Sequence, residues 1–238
     1  MPKAAVKLNR AVARKVLATV DAGLVKGLGK PVPGQMCVEA AVNYALGRDH
    51  GDKPSCVGSA VRAFKIRLND AAWPTDKDRT EGMRKLAIAQ LGSDEIDQKE
   101  FARYVTIETV KRLLPVTLRF AASLIPKRKD SLEGVAAGCE AVVDLLTARA
   151  AARAAQEKAN EARSYAYAAY AADAAASALA SASASASAAV YAAADAAAAK
   201  KPFLAKRLEI LRLSAQIGLE ALQHCGSKGV KWLDLCDE

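Results

Sequence analysis

The segment between Ala148 and Ala199 most strongly constrains how this chain can fold. It holds thirty alanines among fifty-two residues. Alanine has the highest intrinsic helix propensity of any residue, so continuous helix is the default expectation here. One helix of that length would extend ~78 Å at 1.5 Å per residue, far more than a small domain. We therefore expect the helix to fold back, most readily at the alternating serines and alanines of residues 181–187.

Apolar residues that recur every three to four positions predict helices through the rest of the chain. The clearest pattern joins Val12, Val16 and Val20 in an amphipathic helix expected over residues 3–28. Alternating runs of β-branched residues, which would predict strands, are nearly absent. Loops containing glycine or proline separate further helices, which are expected over residues 36–46, 57–70, 75–91 and 93–124, from 130 or 131 onward, and from Pro202 to Gly226. In the helix over 93–124, Ser93 or Asp94 is the expected N-cap, and Pro115 is expected to cause a kink or a break.

The fold class that these patterns predict is all-α. We expect a multi-helix array or bundle with a long alanine-rich helical hairpin toward the C-terminus. Composition changes sharply near residue 130. Residues 1–130 are therefore expected to form a helical domain of short helix pairs, and residues 131–238 the alanine-rich hairpin and the last helix. One continuous domain is the alternative, because the chain length suits either arrangement.

The chain carries a formal net charge of +9. Such an excess permits binding to nucleic acid, anionic lipid or an acidic protein without choosing among them. Its best-organised cations are Lys3, Lys7, Arg10 and Arg14, whose spacing gathers them on one side of the first helix. These side chains could contact phosphate groups. A solvated helix face explains the same pattern.

Composition indicates a cytoplasmic protein without a bound cofactor or metal. The five cysteines are scattered, odd in number and free of CxxC pairs, which argues against a disulfide framework or a zinc ribbon. No nucleotide-binding or calcium-binding motif occurs. The uncharged run from Ala174 to Ala194 consists mostly of alanine and serine, which gain too little in lipid to form a membrane span. The N-terminus lacks the apolar core of a secretory signal.

Cys37 and His50 are the candidates for catalysis. Cys37 lies near a predicted helix N-terminus, where backbone dipoles favour the thiolate, and His50 follows thirteen residues later. The simpler interpretation of Cys37 is a small buried apolar residue. A metal site could be drawn from the same two residues and Cys56, but their spacing matches no common zinc pattern.

Tyrosines interrupt the alanine-rich segment and are candidates for contacts with a protein partner. Tyr165, Tyr170 and Tyr191 lie in residues 164–199, where Lys and Arg are absent. Such a surface could admit another helix, or a second copy of this chain, at close range. Alternatively, the tyrosines fill gaps between closely packed helices.

Several sequence blocks resemble a group of uncharacterised bacterial and phage-encoded alanine-rich helical proteins. This resemblance spans most of the chain and implies a helical fold without implying an activity. The alanine-rich helices also resemble immunity-protein-like helical domains of bacterial toxin systems, which implies a role in phage or bacterial conflict. The blocks are MCVEAAVNYALG (36–47), AVRAFKIRLNDAAW (60–73), RKLAIAQLGSD (84–94), SYAYAAYAADAAA (164–176) and VKWLDL (230–235).

The sequence favours a non-enzymatic helical protein that acts by binding another macromolecule, most readily a protein or a second copy of itself. A nucleic-acid-associated protein that uses the basic first helix is the alternative, and a thiol-dependent enzyme is the third hypothesis. No membrane partner is expected. The predicted binding residues are Lys3, Lys7, Arg10, Arg14, Tyr165, Tyr170 and Tyr191.

Overall fold

A computed structural model describes residues 8–161 and 201–238 of the chain. The prediction of an all-α multi-helix array is confirmed: the described residues form nine α-helices, and their only β-type pairings are isolated bridges. The helices are α1 (Arg10–Asp21), α2 (Val38–Ala45), α3 (Ser59–Asp70), α4 (Asp76–Ala89), α5 (Gln98–Glu108), α6 (Leu114–Leu124), α7 (Lys129–Glu140), α8 (Leu145–Glu161) and α9 (Lys201–His224).

Short 3-10 helices supplement the α-helices. They cover Ser93–Glu95 and Pro126–Arg128, and a longer one runs over Lys228–Asp237 near the end of the chain. The longer one contains Trp232 and Leu235, and both side chains are buried.

The chain divides into two compact units, each built from separated parts of the sequence. The first comprises residues 1–70, 75–101 and 219–238, and the second comprises residues 71–74 and 102–218. The predicted division near residue 130 stays a prediction. In the first unit, the rings of Phe64 and Phe101 meet edge to face with centroids 6.0 Å apart. In the second, α6 and α7 pack together over fully buried side chains such as Leu118.

Helix α1 ends earlier than expected. Asn9 caps its start by accepting a hydrogen bond from the backbone N–H of Val12 at 3.0 Å. The helix stops at Asp21 rather than near residue 28, because Gly23 adopts a φ of 119° that a right-handed helix does not allow. The prediction of an apolar face is nevertheless correct within α1, since Val16 and Val20 are fully buried.

The start of α5 differs from the prediction. Thr75 caps α4, its hydroxyl accepting from the backbone N–H of Asp78 at 3.0 Å. Gly92 follows α4 in the left-handed region at φ 80°. The expected N-cap at Ser93 or Asp94 was wrong. Those residues form a 3-10 turn, and Asp97 caps α5 by accepting from two backbone N–H groups.

Pro115 does not break the helical segment that contains it. A π-helical turn over Thr109–Leu113 joins α5 directly to α6, and Pro115 lies at the start of α6. A proline ring collides with the carbonyl four residues earlier in a regular α-helix. The wider π turn moves that carbonyl away, so the chain accommodates the proline without ending the helix.

Helix α8 contains the beginning of the alanine-rich segment and is helical as predicted up to Glu161. The expected fold-back and the rest of the alanine-rich hairpin lie outside the described residues. Within the described ranges, no helix has both the length and the apolar character needed to cross a lipid bilayer.

Candidate protein-binding surface

Two of the predicted binding residues already have carboxylate partners within the chain. Arg10 and Arg14 lie one turn apart on α1. The Arg10 guanidinium contacts Asp234 at 2.6 Å and Glu238 at 2.8 Å, and Arg14 contacts Glu238 at 3.4 Å. The other predicted binding residues lie outside the described part of the chain: Lys3, Lys7, Tyr165, Tyr170 and Tyr191.

The structure gives Cys37 and His50 separate hydrogen-bond partners. The Cys37 sulfur caps α2 by accepting from the backbone N–H of Ala40 at 3.4 Å. His50 directs Nε2 to the carbonyl oxygen of Gly29 at 3.1 Å. Burial raises the pKa of the Cys37 thiol, because the thiolate would lose its hydration. A buried neutral thiol is a poor nucleophile, so this arrangement does not support thiol catalysis.

All five cysteines are free thiols. In the described ranges, no three His, Cys, Asp or Glu side chains are grouped closely enough to hold a metal ion. Cys37, His50 and Cys56 do not form such a group.

Glu39 and Lys65 form a buried ion pair that the sequence did not indicate. The Lys65 Nζ lies 3.3 Å from Oε1 of Glu39, and both side chains are 0% exposed. Desolvation raises the pKa of Glu39 and lowers that of Lys65. The cavity beside Glu39 has a volume of about 40 Å³. That space suits a water molecule rather than an organic ligand, for which pockets are typically above ~300 Å³.

The α7–α8 hairpin offers a more distinctive surface. Its two helices pack against each other, each with one buried face. The buried residues of these faces are Leu132, Ala136 and Cys139 on α7, and Ala148, Ala152 and Ala155 on α8. Other residues of the two helices, among them Gly134 and Gly138, are exposed. The alanines on α8 bring its backbone close to its neighbours.

An ion-pair clamp holds α7 in position. Arg119 of α6 contacts Glu133 at 3.1 Å and Glu140 at 2.5 Å, two positions almost two turns apart on α7. The guanidinium lowers the pKa of Glu140, which therefore stays ionised at neutral pH. The outer face of α7 is thus presented by a helix fixed at both ends of its length.

Two exposed glycines occupy that outer face. Gly134 and Gly138 lie one turn apart on α7. A Cβ atom added at either would meet no described atom within 4 Å. Glycine inside a helix costs about 1 kcal/mol relative to alanine, because more backbone freedom is lost on folding. Packing among the described residues does not explain either glycine, whereas close approach by a partner would.

Two large apolar side chains stand out beside these glycines in sequence. Val143 is 79% exposed and Leu146 is 76% exposed, whereas the other exposed large apolar residues of the described chain are between 39% and 46% exposed. Reciprocal capping fixes the backbone between them: Asp144 accepts from the Thr147 N–H at 2.8 Å, and the Thr147 hydroxyl accepts from the Asp144 N–H at 3.1 Å. Both side chains are therefore displayed from an ordered helix start.

Cations follow the apolar pair along the outer side of α8. Arg149 and Arg153 are exposed one and two turns beyond Leu146, with Glu157 one turn further. We name Gly134, Gly138, Val143, Leu146, Arg149 and Arg153 the hairpin surface. It combines two exposed glycines, two exposed apolar side chains and two cations.

Sequence reasoning missed the hairpin surface although a signal was present. Glycines four positions apart inside a helical segment are unusual, since glycine is unfavourable there. The run Val142–Val143 and Leu145–Leu146 at the helix start shows too many apolar residues for one buried face. Which of them face outward depends on tertiary packing, because Val142 is buried and Val143 is not.

No protein-family model, curated protein or solved structure is similar enough to this chain to count as a match.

Proposed function

We propose that this chain binds an acidic helical protein through the hairpin surface. The observation that carries the proposal is the pair of exposed glycines, which have open space outside their own helix, followed in sequence by the two most exposed large apolar side chains of the described residues. Exposed apolar side chains grouped on an ordered surface are typical of interaction sites. Glycines let a second helix approach more closely than other residues allow.

The charges favour an acidic partner. Arg149 and Arg153 continue the surface beyond Leu146, and the whole chain has a net charge of +9. Complementary charge accelerates association and disfavours wrong partners. Two copies of so basic a chain repel each other, which argues against self-association. Nucleic acid would use the two arginines but would leave the apolar side chains and the glycines without a role.

The resemblance to helical proteins of phage and bacterial conflict systems supports a partner of that class. An immunity-like role consists of protein binding without catalysis. The state of Cys37 agrees with a role without catalysis, because burial raises the pKa of its thiol and leaves it a poor nucleophile.

Photo-crosslinking from Leu146 tests the proposal directly. A benzophenone amino acid replaces Leu146 in the cells that make the protein, and adducts are identified by mass spectrometry after irradiation. The same group at Leu124 is the matched control, because Leu124 is an exposed leucine of the same unit but is not part of the hairpin surface. We expect one recurring acidic protein at position 146 and its absence at position 124.

The purified partner then provides the decisive comparison. Val143→Ser and Leu146→Ser should each weaken binding about tenfold, which corresponds to ~1.4 kcal/mol. Leu124→Ser should leave the affinity unchanged. Adducts with nucleic acid, adducts only with a second copy of the chain, or equal labelling from both positions would each contradict the proposal.

A further inference from the structure

The segment after α9 lies across two helices of the first unit that carry basic residues. Its 3-10 helix, Lys228–Asp237, packs against both α1 and α4. Trp232 and Leu235 are buried and hold the segment in place. The Ser227 hydroxyl adds a hydrogen bond of 2.6 Å to the carbonyl oxygen of Ala89.

The end of this segment places three carboxylates on three cations. Asp234 and Glu238 contact Arg10 at 2.6 and 2.8 Å, and Glu238 also contacts Arg14 at 3.4 Å. Asp237 contacts Lys85 of α4 at 3.3 Å. The cations are Arg10, Arg14 and Lys85, and the carboxylates are Asp234, Asp237 and Glu238.

These carboxylates are held less firmly than the backbone that carries them. Their side chains are between 53% and 72% exposed. Exposed ion pairs contribute little to stability, and salt weakens them further. A competing anion can therefore displace the carboxylates while Trp232 and Leu235 keep the segment folded.

The arrangement of the cations suits a phosphate chain. Arg10 and Arg14 lie on one face of α1, and Lys85 reaches the same acidic segment from α4. Guanidinium and ammonium groups that converge from two helices can contact successive phosphates of one backbone. A carboxylate is the closest protein equivalent of a phosphate oxygen pair.

We infer that Arg10, Arg14 and Lys85 form a surface for the phosphodiester backbone of nucleic acid, which the carboxylates of Asp234, Asp237 and Glu238 occupy in its absence. Binding then proceeds by exchange of one set of anions for another. The surface is separate from the hairpin surface in sequence and rests on different contacts. It makes no use of base edges, so recognition is independent of nucleotide sequence.

The test compares binding of a fluorescein-labelled 20-base-pair DNA duplex in 50 mM salt. One variant removes the competing charges: Asp234→Asn, Asp237→Asn and Glu238→Gln. Its matched control removes the same number of exposed charges elsewhere: Asp94→Asn, Asp130→Asn and Glu157→Gln. We expect the first variant to bind at least about tenfold more tightly than both the natural chain and the control.

The cations are tested in the same background. Adding Arg10→Gln and Arg14→Gln to the variant without competing carboxylates should return its affinity to that of the natural chain. The salt dependence of binding should fall at the same time by nearly two phosphate contacts. Trp232 emission and circular dichroism verify that the segment and the helices remain folded.

Three results would overturn the inference. The first is unchanged affinity when the three carboxylates are neutralised. The second is an equal gain in the control variant, which would assign the effect to net charge alone. The third is undiminished binding after Arg10 and Arg14 are replaced.

Discussion

The buried Glu39–Lys65 pair concentrates the largest electrostatic cost of the described structure in two side chains. Neither is exposed, and their charged atoms lie 3.3 Å apart. Each charge is tolerated because the other is present, since an unpaired buried charge costs several kcal/mol. The pair therefore specifies how α2 and α3 meet more than it stabilises them.

We predict strong non-additivity at this pair. Lys65→Met and Glu39→Leu alone should each lower the free energy of unfolding by about 3 kcal/mol, because each leaves an uncompensated polar group in the core. The double variant should lie within about 1 kcal/mol of the natural chain or above it, since two apolar side chains of similar volume replace the pair. Urea denaturation followed by circular dichroism measures all three. Additive losses in the double variant would contradict this view of the pair.

The Lys65→Met variant should also acquire a characteristic pH dependence. Burial raises the pKa of Glu39, and removing the lysine removes the main interaction that lowers it. The folded form then holds a proton that the unfolded form releases, so stability falls as the pH rises through the raised pKa. We expect the deficit relative to the natural chain to be smallest near pH 4 and larger near pH 8. A deficit that shrinks toward pH 8 would show that Glu39 is ionised in the variant.

The thiols should be slow to react at neutral pH. Burial raises the pKa of Cys37, and it raises the pKa values of Cys56 and Cys139 to about 11 each. Cys225 is only partly buried. Titration with a thiol reagent at pH 7.5 should therefore label Cys225 first and the buried thiols only on unfolding. Rapid labelling of Cys37 in the folded chain would revive the hypothesis of a thiol-dependent enzyme.

The burial of Glu39 shows where sequence reasoning ends at this scale. The spacing of Val38 and Val42 predicts one apolar face on a helix over residues 36–46, with the other faces in solvent. In the structure, residues 38–43 are all buried. A short helix surrounded on all sides buries whatever its sequence contains, and periodicity within the helix cannot reveal that.

Among the elements, α7 has a composition that disfavours its helical conformation, because two of its twelve residues are glycines. Two glycines weaken a twelve-residue helix that Arg119 holds in place from α6. A helix under no other requirement gains from alanine at both positions. The two glycines therefore lower the stability of α7 but leave the space that a partner needs at the hairpin surface.

We predict that replacing the two glycines has opposite effects on stability and on partner binding. Gly134→Ala together with Gly138→Ala should raise the free energy of unfolding by about 1–2 kcal/mol in total, because both positions have open space and helical geometry. The same change should weaken partner binding about tenfold or more, since each methyl group holds the partner helix away. Thermal unfolding and calorimetric titration measure the two effects.

Ser123→Ala on α6 provides the control for this prediction. It raises helix propensity in the same unit at an exposed position outside the hairpin surface, so it should change stability by at most a few tenths of a kcal/mol without changing affinity. A glycine double variant that is more stable and binds as well as the natural chain would remove the glycines from the proposed function.

At the same scale, the sequence predicted helices better than their junctions. Thr75 and Gly92 act locally, through one side-chain hydrogen bond and one positive φ, and the helix expected over residues 75–91 agrees with α4 to within two residues. Pro115 has a local effect too, but its outcome depends on whether the surroundings accept a π turn. The apolar residues around that turn, including Val110 and Leu113, are fully buried and keep the two helices joined.

At the scale of the whole molecule, contacts between distant residues decide the architecture. Ser227 donates to the carbonyl of Ala89, 138 positions away, and Arg10 reaches Glu238 across nearly the whole chain. Periodicity and capping signals extend over only a few residues. They predicted an all-α fold correctly, but they carry no information on which helices return to the same unit.

The two tryptophans allow the cooperativity of the whole chain to be measured. Trp232 belongs to the first compact unit and Trp73 to the second, and both are 6% exposed. The division between the units falls within α5, between residues 101 and 102, and within α9, between residues 218 and 219. Unfolding one unit alone would end both helices in mid-length and leave their terminal N–H and C=O groups without partners.

We therefore predict one unfolding transition for both units. In the single-tryptophan variants Trp73→Phe and Trp232→Phe, urea midpoints from tryptophan emission and from circular dichroism should coincide, because each variant serves as its own reference. A separation above about 0.5 M urea would contradict this prediction. With an m-value of about 2 kcal/mol/M, that gap corresponds to ~1 kcal/mol of independent stability. It would mean that α5 and α9 can end at the division between the units at little cost.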